Sequence, residues 1–381
     1  MVLTKLARKA SGKMKIKKIL LPIAMAALVA ASFVSLPAAL AAPEKDYVTK
    51  DPTDIPPPIT RSETQTVEVE LWVEEVVTEI EPDKKSWVWT FNGTVPGPMI
   101  RAMEGDTVVV TLHNYPQSCE ATFPKCNFPN EEPHNIDLHA AMGPGGGAAV
   151  TNVEVGETRT FSFKAKRPGT FIYHCAGEGA PWEHVAYGMY GLILIEPKGG
   201  LKSDASKPNK GVKEFYIGQS DWYHDALSGG VHNLDPEIYI LDEEKAFMEH
   251  PSLFTFNGHK NALTDTNLFG KAIQTNQDET ARFFFVTGGP NIGSNWHIIG
   301  TIFDDVCKGH FKDCERNEET VYVPPGSAAM FELSTPVPGT YFIVDHALFR
   351  VPKGALGFLN VEQVAPWPEE IYSPNPADLF P

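Results

Sequence analysis

The sequence predicts an all-β protein made of two tandem Greek-key β-sandwich domains. Three observations carry this. Strand signals dominate: Thr64 to Val77, Thr107 to Leu112, Thr158 to Phe163 and Leu192 to Ile195 are β-branched or aromatic runs, several of them alternating. Turn punctuation such as Asn92-Gly93, Pro96-Gly97-Pro98 and Pro168-Gly169 separates them, and no long helical period occurs; Asp242 to Glu249 reads as one short helix. Finally, the chain repeats itself. Phe91-Asn92-Gly93 recurs as Phe256-Asn257-Gly258, and Pro168-Gly169-Thr170-Phe171-Ile172-Tyr173 as Pro338-Gly339-Thr340-Tyr341-Phe342-Ile343. Gly188-Met189-Tyr190-Gly191 returns as Gly354-Ala355-Leu356-Gly357. A period of about 165 residues makes each unit a whole domain.

Taken in order, residues 1–42 read as a removable export signal. Seven cations (Lys5, Arg8, Lys9, Lys13, Lys15, Lys17 and Lys18) precede an apolar stretch from Ile19 to Leu36, and Ala39 and Ala41 form an A-x-A cleavage signature. Arg8-Lys9 is not a twin-arginine pair, so the expected destination is the periplasm by the general secretory route, with no membrane span in the mature protein. Residues 43–62 are a Pro-rich extension, 63–198 the first domain, 199–211 a Gly/Lys/Ser-rich linker, 212–362 the second domain and 363–381 a Pro-rich tail. The two extensions lack core-forming periodicity, which leaves open whether they are disordered or clasp a neighbouring subunit. With the seven leader cations gone from a formal charge of −16, the mature chain stands at −23. Such a balance argues against nucleic acid or an anionic membrane as partner and for a basic docking partner.

Five cysteines in an oxidising compartment leave one odd thiol. Cys119 and Cys126 sit seven apart in a polar, turn-rich loop, as do Cys307 and Cys314, and the two pairs read as local disulfides. Cys175 remains, at the end of a β-run. With His184 and Met189 it forms Cys-x8-His-x4-Met, and His134 lies upstream. Two imidazoles, a thiolate and a weak axial thioether are the donor set of a blue, type 1 copper site.

Strand parity then separates a second set. Successive side chains on a strand face opposite sides. If Cys175 faces the domain interior, its neighbour His174 faces out. In Pro133-His134-Asn135-Ile136-Asp137-Leu138-His139, His134 and His139 have opposite parity, while Asp137 and His139 share a face. Asp137, His139 and His174 therefore gather outside, a metal site short of one ligand. The second domain, whose counterparts of Cys175 and Met189 are Asp345 and Ala355, has no blue site but offers His346 and His297. Either would complete a three-histidine copper with an open, catalytic position. The other histidines, His113, His224, His232, His250, His259 and His310, show no partner pattern and read as solvated surface.

At this point the residues resemble a family. Pro133 to His139, Gly169 to Ala176, His184 with Gly188-Met189, Trp296 to Gly300 and Val344 to Arg350 look like copper-containing nitrite reductase, a two-domain cupredoxin family, over roughly residues 60–362. The resemblance implies two coppers per chain: type 1 held by His134, Cys175, His184 and Met189, type 2 by His139, His174 and His346. It implies Asp137 and His297 as proton-handling residues, Ile299 as the apolar residue shaping the nitrite pocket, and a homotrimer with His346 supplied across the subunit interface. The reaction implied is the one-electron reduction of nitrite to nitric oxide, fed by a periplasmic donor, either a small cupredoxin or a c-type cytochrome. The chain departs from the family in an apparent insertion at Pro116 to Glu132, holding Cys119 and Cys126, and a second Cys pair after the His297 motif. It also has Gly177 in place of the usual Pro, Trp182 two residues before His184 instead of one, and Met142 where Thr is common. Two rivals are weaker. A laccase-like multicopper oxidase needs His-x-His pairs and a His-Cys-His triplet, and the sequence has neither. A non-enzymatic blue-copper carrier leaves His139, His174, His297 and His346 unexplained.

Overall fold

The computed structural model describes residues 48–118, 130–177, 180–201, 211–265, 270–369 and 371–372. The export signal lies outside the described residues. So do Cys119 and Cys126, the first of the two expected disulfide pairs. Four sheets form two sandwiches. The first sandwich packs a sheet built around Thr66–Glu81, Lys84–Phe91, Thr107–His113 and Thr158–Lys164 on one containing Ile100–Met103, Asp137–Leu138, Gly169–His174 and Tyr190–Glu196. The second packs Val212–Trp222, Leu253–Phe256, Thr280–Gly289, Asp305–Cys307 and Ser327–Ser334 on Ile273–Asn276, Ser294–Ile299, Thr320–Val323, Gly339–Asp345 and Leu356–Glu362. Not every pairing is antiparallel. Thr66–Glu81 runs parallel to Thr107–His113, and Thr280–Gly289 parallel to Val212–Trp222, because the chain crosses to the facing sheet between them. Among the described residues no helix is long and apolar enough to cross a membrane.

The alternating runs bury one face each. Leu71, Val73, Val108, Val110, Leu112, Ile136, Leu138, Tyr173 and Cys175 line the first core, and Phe215, Phe283, Phe285, Trp296, Phe331 and Ile343 the second. A third core joins the sandwiches: Ile172, Leu192 and Leu194 pack on Tyr216, Phe284, Val286 and Met330. Beside it runs a buried chain of charges. Arg101 pairs with Glu196 and with Glu214 at 2.7 Å, and Arg282 bonds Glu214 and Glu332, each also at 2.7 Å.

The repeated Phe-Asn-Gly motifs are two copies of one tight turn. Asn92 and Gly93 have φ of 56° and 70°, and Asn257 and Gly258 have 53° and 85°. Asparagine and glycine tolerate this left-handed backbone, which is why both recur. Part of the N-terminal extension is seated across these motifs. Val48 accepts a hydrogen bond from the Val95 amide at 2.8 Å, and the Asn257 side chain donates to the Lys50 carbonyl at 3.0 Å. Residues 48–56 thus lie on their own chain, tied mainly by backbone groups that leave no periodic signal in the sequence.

Candidate metal centres

The strand Gly169–His174 delivers its residues to two sides. Tyr173 and Cys175 enter the first core while Ile172 enters the inter-sandwich core, so His174 shares the side of Ile172. Across the ladder Asp137 pairs with His174 and Leu138 with Tyr173. Ile136 and Leu138 face in, taking His134 with them, while Asp137 and His139 face out.

Inside, His134, Cys175 and His184 converge and are buried. The two Nδ1 atoms stand 3.1 Å apart, and the Cys175 sulfur is 3.2 Å from His184 Nδ1 and 3.6 Å from His134 Nδ1. Met189 is fully buried in the same core, and its carbonyl accepts from the Cys175 amide at 3.0 Å. His184 arrives on a short helix, Pro181–Ala186, with its ring over Gly177, where a Cβ would fall 2.1 Å from His184 Nε2. Burial pushes His134 and His184 down to about 3, keeping their lone pairs free, and pushes the Cys175 thiol up to about 12. A thiol so held becomes a thiolate only when a cation arrives. The donors sit close enough for an ion about 2.0–2.3 Å from nitrogen and sulfur, so the set fits a metal.

Two residues here escaped the sequence reading. Asn135 clamps the cysteine loop: its amide donates to the Cys175 sulfur at 3.3 Å, and its side chain both accepts from and donates to the Ala176 backbone, at 2.7 and 2.8 Å. Glu75 receives His134 Nε2 at 3.1 Å and is itself buried. One signal for Glu75 was available, since it falls on the apolar register Val67, Val69, Leu71, Val73.

Outside, Asp137, His139 and His174 bring their donor atoms together. His139 Nε2 and His174 Nε2 are 3.2 Å apart. The Cys175 carbonyl can only accept, so His174 carries its proton on Nδ1, 2.9 Å away, leaving Nε2 as donor atom. Burial, then the adjacent His174, lowers the His139 pKa. Asp137 lies against Gly146, where a Cβ would come within 2.0 Å of its Oδ1.

The second-domain residues form a separate group. Trp296 and Ile298 enter the second core, so His297 and Ile299 project from the outer face of that sandwich. His297 donates from Nδ1 to the Glu319 carbonyl at 2.6 Å, and its ring stands edge-on to His346 at 5.2 Å. His346 is exposed, and Ile299 and Phe342 are 43% and 44% exposed, an apolar rim open to solvent in the single chain. Asp345, the counterpart of Cys175, is buried and saturated by Gln219, Asn295, Ala347 and Arg350.

Of the two disulfides expected from cysteine spacing, the structure shows the one that joins Cys307 to Cys314. The other, between Cys119 and Cys126, falls outside the described residues. Cys175 is free and buried, as the odd thiol should be. Three histidines expected at the surface are buried instead: His113 against Trp72, His224 against Trp222 and Tyr187, and His259.

A family described as multicopper oxidase matches residues 73–122. The copper-containing nitrite reductase of Neisseria meningitidis serogroup A is 42% identical over 321 residues, covering 84% of this chain and 76% of that protein. That of Cereibacter sphaeroides is 36% identical, covering 81% of this chain and 82% of its own length. Among solved structures, a copper nitrite reductase from Nitrosomonas europaea superposes with a TM-score of 0.62 at 30% identity, covering 78% of this chain and 94% of that one.

Proposed function

Because the chain belongs to the copper-containing nitrite reductase family, we propose that its two donor sets are the type 1 and type 2 copper sites of a periplasmic, trimeric nitrite reductase. The overall reaction is NO2⁻ + e⁻ + 2H⁺ → NO + H2O. The interior set, His134, Cys175, His184 and Met189, suits type 1 copper, because a thiolate and a thioether favour the reduced ion and imidazole accepts both states. The outer set lacks a third imidazole, and His346 supplies it.

One observation supports a site shared between copies, as a trimer would have. His139 and His174 lie on a sheet of the first sandwich, whereas His297 and His346 project from the far face of the second, beyond its core. They cannot meet within one chain. A second copy presenting its His346 and His297 to the first copy's His139, His174 and Asp137 completes three imidazoles around an open position. It also covers the Ile299 and Phe342 rim.

Copper bound there supplies Lewis acidity and one electron to nitrite. The chain's own residues do the rest. Asp137, held beside His139 and His174, presents its carboxyl to a nitrite oxygen and gives one proton. His297 keeps Nδ1–H on the Glu319 carbonyl, which leaves Nε2 to take up and release the second. Ile299 narrows the pocket and excludes water. The peptide joining Cys175 to His174 is the shortest covalent path between the two sets. Beside the helix carrying His184, exposed Trp182, Phe247 and Met248 lie among Glu183, Glu243 and Glu249, a face suited to a donor with an apolar patch and a basic rim. A laccase-type trinuclear cluster would need His-x-His pairs and a His-Cys-His triplet, which the sequence lacks.

Mixed trimers test the reading. His139→Ala and His346→Ala variants should each be inactive, retain the blue absorption and bind one copper per chain. Unfolded together and co-assembled, they should regain nitrite-to-NO turnover, because some interfaces then combine an intact His139 with an intact His346. No recovery despite mixed assembly would refute a shared site.

A further inference from the structure

The strand Thr66–Glu81 alternates apolar and polar residues, yet at position 75 its interior face carries a carboxylate. The side chain of Glu75 is fully buried, as is that of its partner His134. Every contact it makes is from a donor. Both carboxylate oxygens receive the Glu131 amide at 3.0 Å, Oε1 receives the Glu132 amide at 3.0 Å, and His134 Nε2 approaches Oε1 at 3.1 Å. The segment is sewn to the strand independently of the carboxylate. The Glu75 amide donates to Asn130 Oδ1 at 3.1 Å, and Asn130 Nδ2 donates to the Val73 carbonyl at 2.9 Å. The other acids nearby are engaged elsewhere, Glu131 by Asn233 at 2.8 Å and both Glu131 and Glu132 by His232 at 3.5 Å.

The tautomer of His134 follows from this arrangement. Its Nδ1 points at the Cys175 sulfur and His184 Nδ1, so its proton sits on Nε2 and is given to Glu75. Burial pushes the Glu75 carboxyl up to about 7, but both its oxygens meet only N–H donors, which favours the carboxylate. A buried anion accepting the remote N–H of a ligating imidazole fixes the ring's orientation and makes the ligating nitrogen more basic. It also favours the more positive oxidation state of the metal one ring away, since little solvent screens the pair.

We infer that Glu75 is a positioning residue for the type 1 centre, whose carboxylate locks the His134 ring and holds the copper midpoint potential down, setting the driving force for electron delivery. The inference rests on the reading of His134, Cys175, His184 and Met189 as a type 1 copper site. A structural pin for residues 130–132 would affect stability alone, whereas this role shifts a potential.

The test is a redox titration of the blue absorption in Glu75→Gln, which keeps the shape and an acceptor oxygen but removes the charge. The ratio of Cu(I) to Cu(II) affinity should rise ten- to a hundredfold. That is a midpoint raised by about 60–120 mV at 59 mV per tenfold. Glu74→Gln, on the next residue, should leave the midpoint where it is. An unchanged midpoint in Glu75→Gln with the blue band intact overturns the inference. Absence of a blue band in the copper-loaded parent protein sinks the type 1 reading instead. If Glu75→Gln does not fold, His134→Gly reconstituted with imidazole or with 1-methylimidazole asks the same question, since only imidazole has an N–H to give Glu75. A higher midpoint with 1-methylimidazole supports the role, and equal midpoints overturn it.

Discussion

Replacing Gly146 by alanine puts a methyl group where the Asp137 carboxylate lies. The added Cβ would stand 2.0 Å from Asp137 Oδ1, 2.8 Å from the Leu138 carbonyl oxygen and 3.0 Å from the Leu138 nitrogen. Ordinary contact begins near 3.4 Å, so the carboxylate must withdraw by more than about 1 Å or the backbone must open. Gly146 also has φ of 51°, which adds about 1 kcal/mol for a residue with a side chain. Together the strain and the overlap cost about 2–4 kcal/mol locally. For Asp137 in its proposed role as proton donor, a displacement of about 1 Å costs on the order of a hundredfold in rate. Steady-state nitrite reduction with an artificial donor should therefore fall about a hundredfold, while the blue absorption and the type 1 EPR signal stay as they are. Gly145→Ala is the companion variant. Its Cβ would meet only the Ala148 and Ala149 methyls, at 3.7 and 4.0 Å, so its φ of 65° should cost about 1 kcal/mol of stability and leave turnover intact. Wild-type turnover in Gly146→Ala, or equal losses in both variants, would refute the reasoning.

Two further predictions concern the fold. Arg101→Met leaves Glu196 buried without its guanidinium, while Glu214 keeps Arg282, and should lower unfolding stability by about 3–5 kcal/mol in urea titrations; restoration by a second change of Glu196 to Gln would identify the unpaired charge as the cause. His224 is fully buried, donating to the Trp87 carbonyl at 3.0 Å, and burial pushes its pKa from 6.5 down to about 4. As pH falls from 6.5 toward 4 the unfolded chain takes up a proton that the folded chain refuses, so stability drops by up to about 3 kcal/mol. His224→Phe, seated between Tyr187 and Trp222, should flatten that share of the acid slope in urea midpoints measured from pH 7 to pH 4. An unaltered slope would show that other groups carry it.

Much of this was legible in local pattern. Period-two alternation placed His134 and Cys175 inside and Asp137, His139 and His174 outside, because a strand's parity is a property of consecutive residues. The two Asn-Gly turns were legible for the same reason, their left-handed backbone selecting residue types on the spot. What escaped depends on partners far along the chain. His224 is buried by Trp87, 137 residues away, and no window around position 224 contains that information. His184 had the right spacing to Cys175, but the helix that swings its Nδ1 toward the sulfur begins after a loop with no periodicity. The parallel strand pairs likewise arise from crossings between sheets, which alternation cannot register.

The arm at residues 48–56 has a consequence for the order of assembly. Its hydrogen bond to Asn257 closes a span of 207 residues, whereas most ladder contacts join neighbouring strands. Contacts of such long range form late, after the entropy of loop closure has been met by other interactions. The earliest synthesised of the described segments can meet Val95 and Arg101 within the first sandwich, but its seat on Asn257 needs the second sandwich to exist. Amide protection at Lys50, which donates to the Asn257 carbonyl, is therefore expected to appear in refolding only after the second sandwich has formed.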